Sequence, residues 1–406
     1  MTSHDSHDIP EGQRNENTVT RPFPPRFLWG AATAAHQVEG SNINNDWWEL
    51  ERIAEGYIEP SGDALDSYYR YPQDMKLLAD SGLNTYRFSI EWSRIEPRPG
   101  KFSRAQLMHY RRMIDHAVDL GLTPLVTLHH FTHPQWFSQQ GAWLGDGAVK
   151  TFSRYVEEAC SILDGVPYIC TINEPNVVAM NHGAARIVAN GNPYPEKPYP
   201  DPEFGEAYIA AHKAVAPLVR RATGAQVGWT VANQAFQPAP GAEEKHAEVQ
   251  YEWEDMYLEA ARDDDFVGVQ SYTSQLVDEN GVVPHPEAPD NTLMGWAYRP
   301  DALGIAIRHT KDVVGDVPII VTENGIATGN DDTRIAYTRG ALSAMKDAMD
   351  DGIDVRGYCH WSLLDNFEWG RWHPTFGLIG VDRETFERHP KPSLAWLGSI
   401  ARANEL

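Results

Sequence analysis

The feature that most constrains this 406-residue chain is an alternation kept up almost to its end. Eight short apolar runs, each bounded by turn residues, are separated by longer stretches with helical spacing. The runs cover residues 27–34, 85–92, 123–130, 168–174, 225–232, 265–272, 318–323 and 355–361. Near-continuous apolar character over such short lengths reads as a strand buried on both faces, the condition of a strand in a parallel sheet. The helical stretches include 105–120, 151–163, 204–223, 243–261, 300–314, 334–350 and 391–403. Gly and Asp mark junctions such as Asp119-Leu120-Gly121 and Asp350-Asp351-Gly352. Eight strand-then-helix units predict an α/β fold, a (β/α)8 barrel whose functional end is the C-terminal end of its strands. A doubly wound sheet would need a Gly-rich phosphate loop after the first strand, and Gly30-Ala31-Ala32-Thr33 does not supply one.

The length suits one barrel and no linker divides it, so residues 1–21 are expected to be a disordered tail and 22–406 a single barrel domain. The tail is polar, repeats His-Asp and lacks an apolar core, unlike a secretory leader. No run of about 18 apolar residues exists, so no membrane span is expected and the cytoplasm is the default location. A formal net charge of −23 speaks against nucleic acid or an anionic membrane as partner, because both would repel it, and says nothing of oligomeric state. Cys160, Cys170 and Cys359 are an odd count without a disulfide framework, and the last two fall in strands, where buried, inert thiols are expected. The Pro-rich segments 192–202 and 282–300 read as long loops after strands, which in a barrel shape the mouth.

Sorted by strand, the polar residues gather at one end. Glu174 closes the fourth run, in Thr171-Ile172-Asn173-Glu174-Pro175, and Glu323 closes the seventh, in Val321-Thr322-Glu323-Asn324-Gly325. Two carboxyls from different strand ends are the acid and nucleophile that cleavage of a glycosidic bond requires. Gln37 follows the first run, Arg87 lies in the second, His130 ends the third, Asn173 precedes Glu174, Tyr272 ends the sixth, and Trp361 ends the eighth. The cluster His129-His130-Phe131-Thr132-His133 invites a metal. Adjacent strand side chains face opposite sides, however, so His129 and His130 cannot both face the axis, and no Cys or carboxylate has ligand spacing nearby. No metal or other cofactor is expected, and His130 is better read as a hydroxyl ligand.

Residues 27–40, Phe-Leu-Trp-Gly-Ala-Ala-Thr-Ala-Ala-His-Gln-Val-Glu-Gly, resemble the amino-terminal signature of family 1 glycoside hydrolases. The segments around Glu174 and Glu323 resemble that family's acid/base and nucleophile strands, and 361–369 its sugar-binding block, all in the family's order. The resemblance implies a retaining β-glycosidase of β-glucosidase type, acting on terminal unphosphorylated β-D-glycosides. Glu323 would form the glycosyl-enzyme and Glu174 would act as acid/base. Arg87 and Tyr272 would support Glu323, and Asn173 would hold the 2-hydroxyl. Gln37, His130, Trp361, Glu368, Trp369 and Phe376 would hold the rest of the sugar, and an acidic Glu368 would repel a 6-phosphate. Two departures from the family pattern bear on the leaving-group side. Phe131-Thr132 stands where Trp-Asp is usual, and Gln270-Ser271-Tyr272 where many members have Asn-Tyr-Tyr, which is expected to shift contacts near the 2-hydroxyl. The alternatives are a transglycosidase that passes the sugar to an alcohol or sugar acceptor, and a non-catalytic sugar-binding barrel, against which both carboxyls speak.

Overall fold

A computed structural model describes residues 20–190, 192 and 198–406. Eight parallel strands close into a barrel: β1 (Leu28–Ala32), β2 (Thr85–Ser89), β3 (Thr123–Thr127), β4 (Tyr168–Asn173), β5 (Gln226–Ala232), β6 (Val267–Gln270), β7 (Ile319–Asn324) and β8 (Val355–Trp361). Each pairs with the next in sequence, and β8 pairs with β1 from Leu28 against Gly357 to Ala32 against Trp361. The expected (β/α)8 architecture is therefore present, with every observed strand inside its expected run apart from Asn324.

Leu28, Leu125, Cys170, Phe266 and Ile320 form one buried cluster. They come from or beside strands that are not all neighbours, so they meet inside the barrel and fill its floor, as layered side chains do in this fold. The much larger apolar cluster lies between the strands and the helices, and includes Ile169, Ile172, Val321 and Tyr358. Cys170 and Cys359 are buried, all three cysteines are free thiols, and burial pushes Cys170 up to about 11 and Cys359 up to about 12.

Helices Ser67–Ser81, Arg104–Asp119, Ala148–Cys160, Pro202–Thr223, Ala302–Val314, Asp331–Asp350 and Pro392–Ala403 pack outside. Three of these starts carry the side-chain acceptor that orphan N–H groups need, from Ser103, Asp201 and Asn330. Asp201 accepts from the N–H groups of Glu203 and Phe204, and Asn330 from those of Asp332 and Thr333. The stretch 243–261, expected as one helix, is interrupted by a π-turn at Tyr251–Asp255. Such a turn leaves a backbone carbonyl without its usual helical partner; here Asn176 donates to the Trp253 carbonyl at 2.9 Å.

Residues 1–19 and, within the Pro-rich stretch 192–202, residues 193–197 lie outside the described residues. Arg21, expected to end the tail, is tied down: its side chain reaches Asp347 and Asp350 at 2.7 Å each, and its backbone pairs with Leu406. Among the described residues no helix is long and apolar enough to cross a membrane.

Candidate active site

A cavity of about 500 Å³ opens at the C-terminal end of the barrel, lined by residues at or just after the ends of β3 to β8 and by Trp47 from the connection after β1. Glu174, Glu323, His130, Tyr272, Trp361, Glu368, Trp369 and Phe376 all face it, while Gln37, Arg87 and Asn173 are buried behind them.

Both glutamates owe their aim to irregular backbone. Ile320 points into the barrel floor, so a regular pleat would turn Glu323, three residues on, to the helix side. The register of β7 against β6 shifts between Val321 and Glu323, and this slip returns Glu323 to the axis. β4 shifts likewise against β5 between Cys170 and Asn173. Glu174 itself has φ of +43°, and its N–H donates to the Thr230 carbonyl at 2.8 Å. The following Pro175 disfavours the right-handed helical conformation at Glu174, so the turn into helix Pro175–Ala189 is made through the left-handed region. A non-glycine residue held there costs about 1–3 kcal/mol, a strain that tends to be kept at functional positions.

The two carboxyls have opposite surroundings. One Arg87 guanidinium donates to both Glu323 Oε1 and Asn173 Oδ1, and the Tyr272 hydroxyl donates to Glu323 Oε2 at 2.6 Å. Each oxygen of Glu323 thus accepts a hydrogen bond, one of them from a buried cation. Burial and the Glu323 charge push the Tyr272 hydroxyl well above its ordinary range, so it stays a donor. Among the described residues the Glu174 carboxyl is hydrogen-bonded only by a neutral amide, with Gln270 Nε2 donating to its Oε1 at 3.1 Å. Burial, and next the charge of Glu323, push the Glu174 carboxyl well above the usual carboxylate range. With Oε1 accepting from Gln270, the hydrogen-bond network assigns the proton of Glu174 to Oε2. Gln270, expected on the 2-hydroxyl side, is thus a partner of Glu174.

Asn173 accepts from Arg87 and, at 3.0 Å, from Thr230 Oγ1, and donates one amide hydrogen toward His130 Nε2 at 3.2 Å. Its second amide hydrogen is left for a ligand. Burial, followed by the Arg87 charge, holds His130 well below its ordinary range and so neutral. Because Nε2 accepts, Nδ1 carries the proton, and that buried nitrogen has no protein partner among the described residues. Gln37 spends its amide on Asn366 at 3.0 Å and on the Phe367 carbonyl at 2.7 Å, leaving Oε1 without a partner among the described residues. Trp361 Nε1 donates to Glu368 Oε1 at 3.2 Å. Trp369 packs on Phe131 at 4.7 Å and on Trp47 at 4.8 Å, and Phe376 lies 5.8 Å from the Tyr272 ring.

Glu368 alters one expectation. Burial pushes it up to about 8, against the Trp361 hydrogen bond and with help from the Glu323 charge. Near neutral pH it is therefore a neutral acid, able both to donate and to accept a hydrogen bond. Repulsion of a 6-phosphate by a charged Glu368 therefore does not follow.

His129 and His130 do face opposite sides. His129 is buried 5.1 Å from Trp143 and 6.1 Å from Phe152, whereas His130 lies 5.9 Å from Trp361 in the cavity wall. Several lining residues had no sequence signal beyond following a strand: Trp47, Asn181, Asn233, Gln234, Trp253 and Trp296. Glu254 in the π-turn positions two of them, accepting from Asn233 Nδ2 at 3.1 Å and from the Gln234 N–H at 2.7 Å.

A parallel barrel that presents two buried acids in opposite environments, from β4 and β7, to a cavity lined with aromatic rings and polar groups is a glycoside hydrolase. A family model described as Glycosyl hydrolase family 1 matches residues 19–291 and 252–406, and the chain belongs to that family. A thermostable β-glucosidase B from Thermobispora bispora is 31% identical over 454 aligned residues, spanning 95% of this chain and 91% of the relative. The crystal structure of β-glycosidase BGL167 superposes with a TM-score of 0.85 at 42% identity, over 94% of this chain and 97% of that one. The family 1 β-glucosidase from Thermotoga maritima gives a TM-score of 0.85 at 26% identity, over 96% and 100%.

Proposed function

We propose that this glycoside hydrolase is a β-glucosidase that removes the terminal, unphosphorylated sugar from small β-D-glycosides with retention of configuration, using Glu323 as nucleophile and Glu174 as acid/base. The observation that carries the reading is the opposite environment of the two carboxyls. Glu323 is gripped by Arg87 and Tyr272, whereas Glu174 keeps its proton through burial and the neighbouring charge.

In the first step a Glu323 oxygen bonds to the anomeric carbon, the glycosidic C–O bond breaks, and the Glu174 proton passes to the leaving oxygen. Esterification removes the charge of Glu323, one of the causes that hold Glu174 high, so the pKa of Glu174 falls once it has given up its proton. Glu174 can then take a proton from water as the water oxygen attacks the anomeric carbon and displaces Glu323. The free amide hydrogen of Asn173 suits the 2-hydroxyl, where contacts strengthen in the transition state. Gln37 Oε1, His130 Nδ1–H and the Glu368 carboxyl suit the remaining hydroxyls, with Trp361, Trp369 and Phe376 as the apolar walls. The glucoside preference is supported by relatives that carry the name β-glucosidase. A cytoplasmic location is supported by three unpaired cysteines.

Glu323→Gly is expected to lose turnover by several powers of ten, with azide or formate restoring part of it and yielding the α-product. Glu174→Ala is expected to keep forming the glycosyl-enzyme from dinitrophenyl glycosides while alkyl glycosides become nearly inert. Near-normal rates in the first variant, or equal loss on both substrates in the second, would overturn the assignment.

A further inference from the structure

We propose that Asp46, His133 and His182 form a divalent-cation site that clasps the rim of the active-site mouth. The three come from separate loops: Asp46 begins helix Asp46–Ile53 after β1, His133 follows β3, and His182 lies two turns into helix Pro175–Ala189 after β4. Each offers one ligand atom, and these atoms lie within 4.8 Å of one another, the one such cluster among the described residues. Asp46 Oδ2 lies 3.6 Å from His133 Nδ1, too far for a hydrogen bond. Ligands around a tetrahedral zinc ion sit about 3.3 Å apart, given metal–ligand bonds of about 2.0–2.2 Å.

An independent observation points to a ligand. His133 is 1% exposed, and its Nδ1, turned toward Asp46, has no hydrogen-bond partner among the described residues. Leaving a buried ring nitrogen bare is costly, and a metal ion satisfies it. The rest of the histidine is already set as a ligand. Nε2 is hydrogen-bonded to Ser138 Oγ at 2.8 Å, the outer contact that orients a ligating imidazole, and the backbone N–H of His133 donates to Asp46 Oδ1 at 2.8 Å. His182 is partly exposed and stacks on the His133 ring with centroids 5.6 Å apart, which brings its ligand atom to the other two. Two imidazoles and one carboxylate suit Zn²⁺ or a neighbouring transition ion rather than Ca²⁺ or Mg²⁺, and leave a fourth position for water.

The ion would touch no catalytic group. Trp47 and Asn181, next in sequence to two of the ligands, and Phe131, two residues before the third, line the cavity, so the clasp joins three loops of its wall. The helix it holds is the one that starts at Glu174. The role is to stiffen the mouth, and the inference stands independently of the hydrolytic reading.

The test uses the full chain stripped with chelator, Zn²⁺ as probe, and equilibrium dialysis alongside thermal unfolding. One zinc per chain and a rise in Tm are expected. Both should be lost, with binding weakened by more than about tenfold, in His182→Ala and in Asp46→Asn. The first variant changes a partly exposed side chain and the second keeps its shape, so circular dichroism should show both folded. His4→Ala/His7→Ala controls for the histidines of the amino-terminal segment and should bind as the parent does. Absence of stoichiometric uptake, uptake unchanged in His182→Ala and Asp46→Asn, or uptake lost in the His4/His7 variant would overturn the proposal.

Discussion

At the scale of single residues, the chemistry rests on how two carboxyls of one kind are made unlike. Arg87 is the hinge of that difference, because one planar guanidinium serves Glu323 and Asn173 together. Lysine carries the charge but not the fork, so Arg87→Lys is expected to lower kcat/KM for an aryl β-glucoside by on the order of 100-fold or more. A loss of Tm with kcat/KM unchanged would reduce Arg87 to a structural cation. The pH dependence follows from Glu174. Its folded pKa is raised, so it is protonated and competent below that value, and activity falls as pH rises through it, giving a basic limb above the ordinary carboxylate range. In Glu323→Gln the neighbouring charge is gone, and the Glu174 carboxyl, followed by ¹³C NMR, should titrate lower than in the parent. An unmoved titration would mean that burial alone sets it.

At the scale of elements, the strand ends matter more than the strands. β7 and β8 meet so closely that a Cβ built on Gly325 would lie 2.0 Å from the Trp361 carbonyl oxygen. Glycine is needed there for space, since it is two residues after Glu323 and packs against the backbone that carries Trp361. Gly325→Ala should therefore cost about 1–3 kcal/mol in stability. Because relief requires β7 and β8 to part, kcat should fall with it. Unchanged kcat in a destabilised variant would show that the strand ends absorb the methyl without moving Glu323. The motif around Glu323 was legible in the sequence, yet the reason for its glycine was not, because Trp361 lies on the neighbouring strand, 36 positions away.

At the scale of the whole molecule, the barrel is closed by pairing its first and last units. Beyond the β1–β8 seam, Arg388 forks onto Asp74 at 2.7 and 3.0 Å, both side chains being at most 1% exposed. Asp74 lies in the helix after β1 and Arg388 in the short strand Arg388–Pro390 after β8. Arg388→Met leaves a buried carboxylate uncompensated, which costs about 3–5 kcal/mol when one partner of such a pair is removed. A lower Tm at unchanged kcat is the expected result, since neither residue lines the cavity. A Tm equal to that of the parent would show that Asp74 takes up a proton at little cost.

The barrel, the order of its units and the residues that meet at its mouth can be read along the chain. Burial on both faces writes each parallel strand as an apolar run, and the chemistry sits at the ends of those runs. Glu174, Glu323, Asn173, His130 and Tyr272 were legible in this way, Arg87 within its run, and Glu368 through the resemblance of residues 361–369 to a family block. The rest arises from packing between elements. The slips that aim Glu323 and Asn173 depend on pairing with neighbouring strands, and Gln270 reaches Glu174 from a strand 96 positions away. The neutral state of Glu368 comes from burial beside Glu323 and outweighs the charge its residue type suggests. Asp46, His133 and His182 share no spacing that marks a ligand set, because three loops bring them together. Local pattern records which way a strand is buried; register, desolvation and contacts between loops arise only when the barrel closes.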